Sequence, residues 1–129
     1  MINKRKIGTE YEDVAVRYLI DRGYEILEKN YRCRFGEIDI IAKHKVGNDI
    51  FIVFIEVKYR KNGIAGSPFE AVDYKKQMII RKVSEYFLMT NGYWDISRIR
   101  YDVVGIMGRK IELIQNAFWN GNVVVIRNK

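Results

Sequence analysis

Three side chains in this chain have the types and spacing to act on a phosphodiester. Glu56 and Lys58 end the stretch Phe51 to Arg60, FIVFIEVKYR, and Asp39 lies inside Gly36 to Ala42, GEIDIIA. Side chains alternate along a strand, so Glu56 and Lys58 share one face while Ile55 and Val57 share the other. The same alternation puts Glu37 with Asp39 and Ile38 with Ile40. A carboxylate or ammonium at the end of a core strand costs several kcal/mol if buried unpaired. An ion pair offsets that cost, and so does a metal. Two carboxylates and a lysine gathered at strand ends suit a hard divalent cation, Mg²⁺ or alternatively Mn²⁺, working on a phosphodiester. The lysine then orients an attacking water or offsets charge developing on the phosphate.

The elements that position these residues follow from pattern. Residues Ile50 to Ile55 form an apolar, mostly β-favouring run, as a buried strand does. Gly47, Asn48 and Asp49 mark a hairpin turn, which makes the Gly36 to Lys43 and Ile50 strands antiparallel neighbours. Residue 39 then falls opposite the mid-fifties. A helix is expected from Gly8 and Thr9 to Arg22, with Val14, Ala15, Tyr18 and Leu19 as its apolar stripe and Gly23 as its stop. Met1 to Lys6 is expected to fray. Tyr24 to Leu27 reads as a short strand, Glu28 to Asn30 as a turn, and Tyr31 to Phe35 as an edge or hairpin strand. Lys61 to Gly66 is expected to be a loop. Ser67-Pro68-Phe69-Glu70 has the form of a helix start, and Asp73 offers a second cap. A helix from Tyr74 to Met89 follows, burying Ile79, Ile80, Val83, Tyr86 and Phe87. Strands are expected at Tyr101 to Met107, Ile111 to Ile114 and Val123 to Ile126. The fold class is α/β, a mixed sheet flanked by helices.

Composition narrows the partners. The chain has 129 residues, enough for one domain over 1–129 and too few for two full ones. Its formal charge is +7, which favours an anionic partner, nucleic acid first. Cys33 is the sole cysteine, so no intrachain disulfide forms, in keeping with a cytoplasmic setting. No apolar run is long enough to span a membrane. With no histidine pair, cysteine cluster or glycine-rich phosphate loop, zinc, P-loop and dinucleotide chemistry have no support.

The Asp39, Glu56-x-Lys58 constellation resembles the PD-(D/E)XK nuclease superfamily. GEIDIIA, FIEVKYR, GSPFEAV, YDVVGI and NAF, in that order, resemble the bacterial YraN-type, or UPF0102, family, from Gly8 to about Phe118. The resemblance implies a restriction-endonuclease-like core similar to archaeal Holliday junction resolvases. It implies a metal-dependent, structure-selective DNA endonuclease, or else a nucleic-acid-binding protein of the same fold without turnover. Carried over, Asp39 and Glu56 are metal ligands with the Val57 carbonyl, Lys58 is the catalytic lysine, and Glu12 is the helical glutamate. Junction cleavage by analogy implies a homodimer. Ile38 stands where the superfamily has its proline, and Tyr11 where this family often has glycine.

Plainer roles compete at several positions. Thr9-x-x-Glu12 is also a capping box, which makes Glu12 structural. Glu37 is a candidate neighbour of the site or a solvated strand-end acid. Arg32, Arg34, Arg60, Lys61 and Lys76 are candidate phosphate contacts or ordinary surface charge. Tyr31, Phe35 and Trp119 either stack on unpaired bases or belong to the core. Cys33 reads as a small buried hydrophobe.

Overall fold

The computed structural model describes residues 4–60, 73–93 and 98–117. The chain runs α1 (Lys4–Asp21), β1 (Tyr24–Cys33), β2 (Gly36–Val46), β3 (Asp49–Arg60), α2 (Tyr74–Thr90), β4 (Arg98–Met107) and β5 (Lys110–Ile114). The strands form one sheet in sequence order, with β3 and β4 parallel and every other neighbouring pair antiparallel. A parallel pair needs a crossover, and α2 lies within it. α1 covers one face and α2 the other. Ala15 and Leu19 of α1 pack with Ile40, Ala42, Val53, Ile55, Val104 and Ile106. Ile80, Val83, Phe87 and Leu88 of α2 pack with Ile38, Ile41, Ile52, Phe54, Tyr101 and Val103. The result is the expected mixed sheet flanked by helices. β3 is buried on both faces, which is why its sequence is almost continuously apolar.

Several expectations on element bounds change. α1 starts at Lys4, before the expected Gly8, so Thr9 lies inside the helix and cannot be its N-cap. The capping-box role for Glu12 is thereby removed, since a cap needs non-helical backbone. Within the expected stripe, Ala15 and Leu19 are fully buried, but Val14 is exposed. The expected turn at Glu28 to Asn30 is absent, because β1 continues through it. Leu27 is an extra residue between the rows Ile26↔Ala42 and Glu28↔Ile41, a β-bulge that bends the strand without ending it. Asn30 then takes a left-handed φ of 53°, which asparagine tolerates better than most residues. At the other helix, Asp73 is the cap: its carboxylate accepts from the Lys76 N–H at 2.8 Å. The loop Lys61 to Gly66, the start Ser67 to Glu70, Trp119 and the strand Val123 to Ile126 lie outside the described residues.

The most consequential change is at Asp39. Ile38 packs on the α2 side and Ile40 on the α1 side, so they do not share a face as simple alternation predicts. The neighbouring strand switches at the same level. Lys29 reaches Asp13 of α1, whereas Tyr31 packs against Phe87 of α2. Asn30 and Asp39 fall opposite each other, between the rows Lys29↔Ile40 and Tyr31↔Ile38. The two strands exchange faces together and so stay paired.

Candidate functional site

Asp39 owes its position to that exchange. The β2–β3 ladder runs from Val46↔Asp49 to Ile40↔Ile55 and stops there. Beyond it the Asp39 carboxylate takes the place of a backbone carbonyl, accepting from the Val57 N–H at 2.8 Å. The carboxyl group therefore lies between the strands, in the layer of the sheet.

Glu56 and Lys58 alternate with Ile55 and Val57 as expected, Val57 packing into the α1-side core. Glu56 is 3% exposed and faces α2, where the Lys76 Nζ lies 3.7 Å from its Oε2. Its other oxygen, Oε1, is buried without a hydrogen-bond partner. Burial first, then the adjacent Asp39 charge, pushes the Glu56 carboxyl up to about 8, and Lys76 and Lys58 only partly oppose them. Burial also raises Asp39, against the Val57 N–H and the charges of Lys76 and Lys58. Two acids crowded in a poorly solvated site with one oxygen unsatisfied form an arrangement that lacks positive charge. The Lys76 ammonium offsets only part of this, and the Glu56 carboxyl stays raised despite that neighbour. A buried carboxylate oxygen with nothing to bind is chemically suited to a hard cation, so the donor pair fits Mg²⁺ or Mn²⁺.

Glu12 stands apart from this pair. Burial raises its carboxyl, an Asn30 hydrogen bond opposes that, and the Asp39 and Glu37 charges raise it further. It senses Asp39 from the α1 side, but no three His, Cys, Asp or Glu side chains converge closely enough to hold a metal among the described residues. Asp39 and Glu56 are brought together, with Lys58 and Lys76 near enough to act on both; Glu12 is not added to them. Tyr11, beside Glu12, stacks on Tyr59 with ring centroids 3.8 Å apart.

The candidate phosphate contacts separate into groups. Arg32 is held by Glu37 at 3.0 Å, which neutralises it and gives Glu37 a partner away from the acid pair. Arg34 lies over the Phe35 ring, 4.8 Å from its centroid. The Arg60 Nη1 donates to the Tyr59 carbonyl at 3.0 Å. Lys76 belongs to the acid pair itself, and Lys61 lies outside the described residues. Tyr31 is part of the α2-side packing, as is Cys33, which is half-buried there rather than buried as expected.

A second polar cluster went unseen in the sequence. On the α1 side, Asp102 is fully buried and accepts from the Tyr24 hydroxyl at 2.8 Å, the Arg100 Nε at 2.9 Å and the Asn116 N–H at 2.9 Å. The Arg100 Nη2 also reaches the Tyr24 hydroxyl and the His44 Nδ1, each at 2.8 Å. Since arginine only donates, His44 Nδ1 is the acceptor and the imidazole is neutral there. The available signal was Arg100-x-Asp102 on one face of an apolar strand, the same spacing that drew attention to Glu56-x-Lys58. Its saturated bonding marks it as a structural latch joining β1, β2 and β4.

Among the described residues no helix is long and apolar enough to cross a membrane. The chain is similar along nearly its whole length to three bacterial proteins, each named a UPF0102 protein. It is 43% identical to that of Fusobacterium nucleatum, covering 95% of this chain and 98% of the relative. It is 48% identical to that of Caldicellulosiruptor bescii, covering 91% and 100%, and 49% identical to that of Alkaliphilus oremlandii, covering 88% and 98%. The model of the uncharacterised protein family UPF0102 matches residues 11–106, from the helix that carries Glu12 through both strands of the acid pair to the end of the buried part of β4, and the chain belongs to that family.

Proposed function

We propose that this chain binds nucleic acid by its phosphate backbone, at the strand ends around Asp39 and Glu56. What carries the reading is the unpartnered Glu56 Oε1 beside a second buried carboxyl group, in a chain of formal charge +7. Without a cation this pair repels phosphate. A divalent cation, Mg²⁺ or Mn²⁺, supplies positive charge shared between the acids and a phosphate oxygen when bound there. Asp39 and Glu56 are its proposed holders. Lys58 and Lys76 offer ammonium groups to further phosphate oxygens, and none of these contacts selects a base. Binding without turnover has support from the two-acid site, since a third carboxylate does not converge on it among the described residues.

A second reading, hydrolysis of the phosphodiester, is favoured by Lys58. Its charge acts on both Asp39 and Glu56 from the same strand face as Glu56. In that reading Lys58 orients a water that adds to phosphorus and loses its proton to solvent, and the ammonium group stabilises the pentacovalent state as the bond to the 3′-oxygen breaks and that oxygen takes a proton from water. The substrate class is branched or flap DNA, and the catalyst is structure-selective.

Fluorescence anisotropy with labelled oligonucleotides tests the binding reading. Binding is expected to weaken steeply with salt and to strengthen when Mg²⁺ or Mn²⁺ is added. The divalent effect should vanish in the Asp39→Asn, Glu56→Gln double variant. Failure to bind any oligonucleotide at low salt would overturn it. Nicking of plasmid or branched DNA under the same ions, lost in Glu56→Ala, Lys58→Ala, would move the assignment to the hydrolytic reading.

A further inference from the structure

The β1–β2 hairpin carries a second surface whose chemistry goes beyond phosphate binding. Cys33 pairs with Gly36, so Arg34 and Phe35 form the two-residue tip. Phe35 is 37% exposed. Two cations lie near it: the Arg34 guanidinium is over the ring, 4.8 Å from its centroid, and the Lys82 Nζ of α2 is 6.0 Å away. Neither cation has a carboxylate partner within ion-pair distance among the described residues, unlike Arg32 next door. Tyr86 meets the ring at its edge, with centroids 5.9 Å apart.

The hairpin end sits close against α2. Gly36 has a φ of 145°, and a Cβ added there would lie 2.6 Å from an Ile79 methyl of α2. The base of the tip therefore rests directly on the helix, with Phe35 beside it. A base can stack on the ring once the long, exposed Arg34 side chain swings off it, and the freed guanidinium and Lys82 then offer contacts to the flanking phosphates. Phe35 lies four residues before Asp39, about 13 Å along an extended strand, within reach of one short stretch of nucleic acid.

We infer that Phe35 is a stacking platform for an unpaired nucleobase, with Arg34 and Lys82 holding the phosphates beside it, so that the preferred ligand contains single-stranded nucleotides. This rests on the proposed nucleic-acid binding and narrows it. A ring in solvent has no such use on a continuous duplex, whose bases are already stacked on each other.

The test compares an oligo-dT strand, an abasic strand of equal length and a duplex, by anisotropy at several salt concentrations. The native chain should bind dT about tenfold or more tightly than the abasic strand, as one base–aromatic stack allows. Phe35→Ala and Phe35→Leu should both erase that preference and leave duplex binding unchanged; leucine keeps apolar volume but has no π-face. The Arg34→Ala, Lys82→Ala variant should lower the slope of log affinity against log salt on dT by about 0.7 for each phosphate that is no longer neutralised. Circular dichroism melts establish that each variant folds. If the native chain binds dT and abasic strands equally, or Phe35→Leu keeps the preference, the platform is refuted while phosphate binding stands. If no strand or duplex binds at low salt, both readings fall.

Discussion

Replacing Glu56 by glutamine should shift stability in the variant's favour as pH rises, with a net gain by pH 8. Glu56 has its ordinary value near 4.5 in the unfolded chain and about 8 in the folded one. The folded state keeps the proton through that interval while the unfolded state releases it, so stability falls as pH climbs from 4.5 and levels off above about 8. At roughly 1.4 kcal/mol per pKa unit, the whole interval is worth about 4–5 kcal/mol. Solvent screens little of it, because Glu56 is 3% exposed. Glutamine carries no charge and escapes this penalty, but it loses the Lys76 ion pair and buries amide donors that cost about 1–3 kcal/mol if unpaired. The expected net gain at pH 8 is about 2 kcal/mol, or about 6–10 °C in melting temperature for a chain of this size. Melts of both proteins from pH 4.5 to 8.5 without divalent ions measure it. Near pH 4.5 the variant should melt lower, since only its unpaired amide counts there, and the two curves should cross before pH 8. Parallel curves, or a variant that melts lower at pH 8, would refute a buried carboxyl group held out of its normal ionisation.

Three further outcomes follow from the same geometry. Mg²⁺ should raise the melting temperature of the native protein more at pH 8 than at pH 6, because the cation competes with the Glu56 proton, and should do little for Glu56→Gln; thermal melts with and without Mg²⁺ check this. Asp102→Ala should destabilise by about 3–5 kcal/mol, since Arg100 would remain buried without its partner, and urea titration should record it as a lower midpoint at similar slope. Gly36→Ala should cost about 1–3 kcal/mol from the Ile79 clash and the positive φ together, read in the same way.

Much of the acid pair was legible because its residues stand where an apolar strand should not carry charge. Glu56 and Lys58 on β3, and the turn at Gly47 and Asn48, were enough to bring Asp39 opposite the mid-fifties. The orientation of Asp39 was not legible. Two-residue alternation gives it a face of the sheet, whereas the structure puts it between strands. The departure depends on a matching irregularity in β1, and pairing between distant segments is invisible to a local pattern. Asn30 was noticed only as a turn residue; its tolerance of left-handed backbone was used to bend a strand instead. Glu12 failed to join the acids for a related reason: it approaches from the α1 side, while Glu56 faces α2. The Arg100 and Asp102 latch was missed because its partners, Tyr24 and His44, are contributed by two other strands.

The shared exchange of faces at Asn30 and Asp39 leaves a single carboxyl group in the layer of the sheet, between the two helix-covered faces. From the α1 side it meets the acids Glu12 and Glu37, and from the α2 side the acid Glu56 together with the ammonium groups of Lys58 and Lys76. Neither helix alone sets the charge state of Asp39: its surroundings are contributed by α1, α2 and the strands on both sides of it.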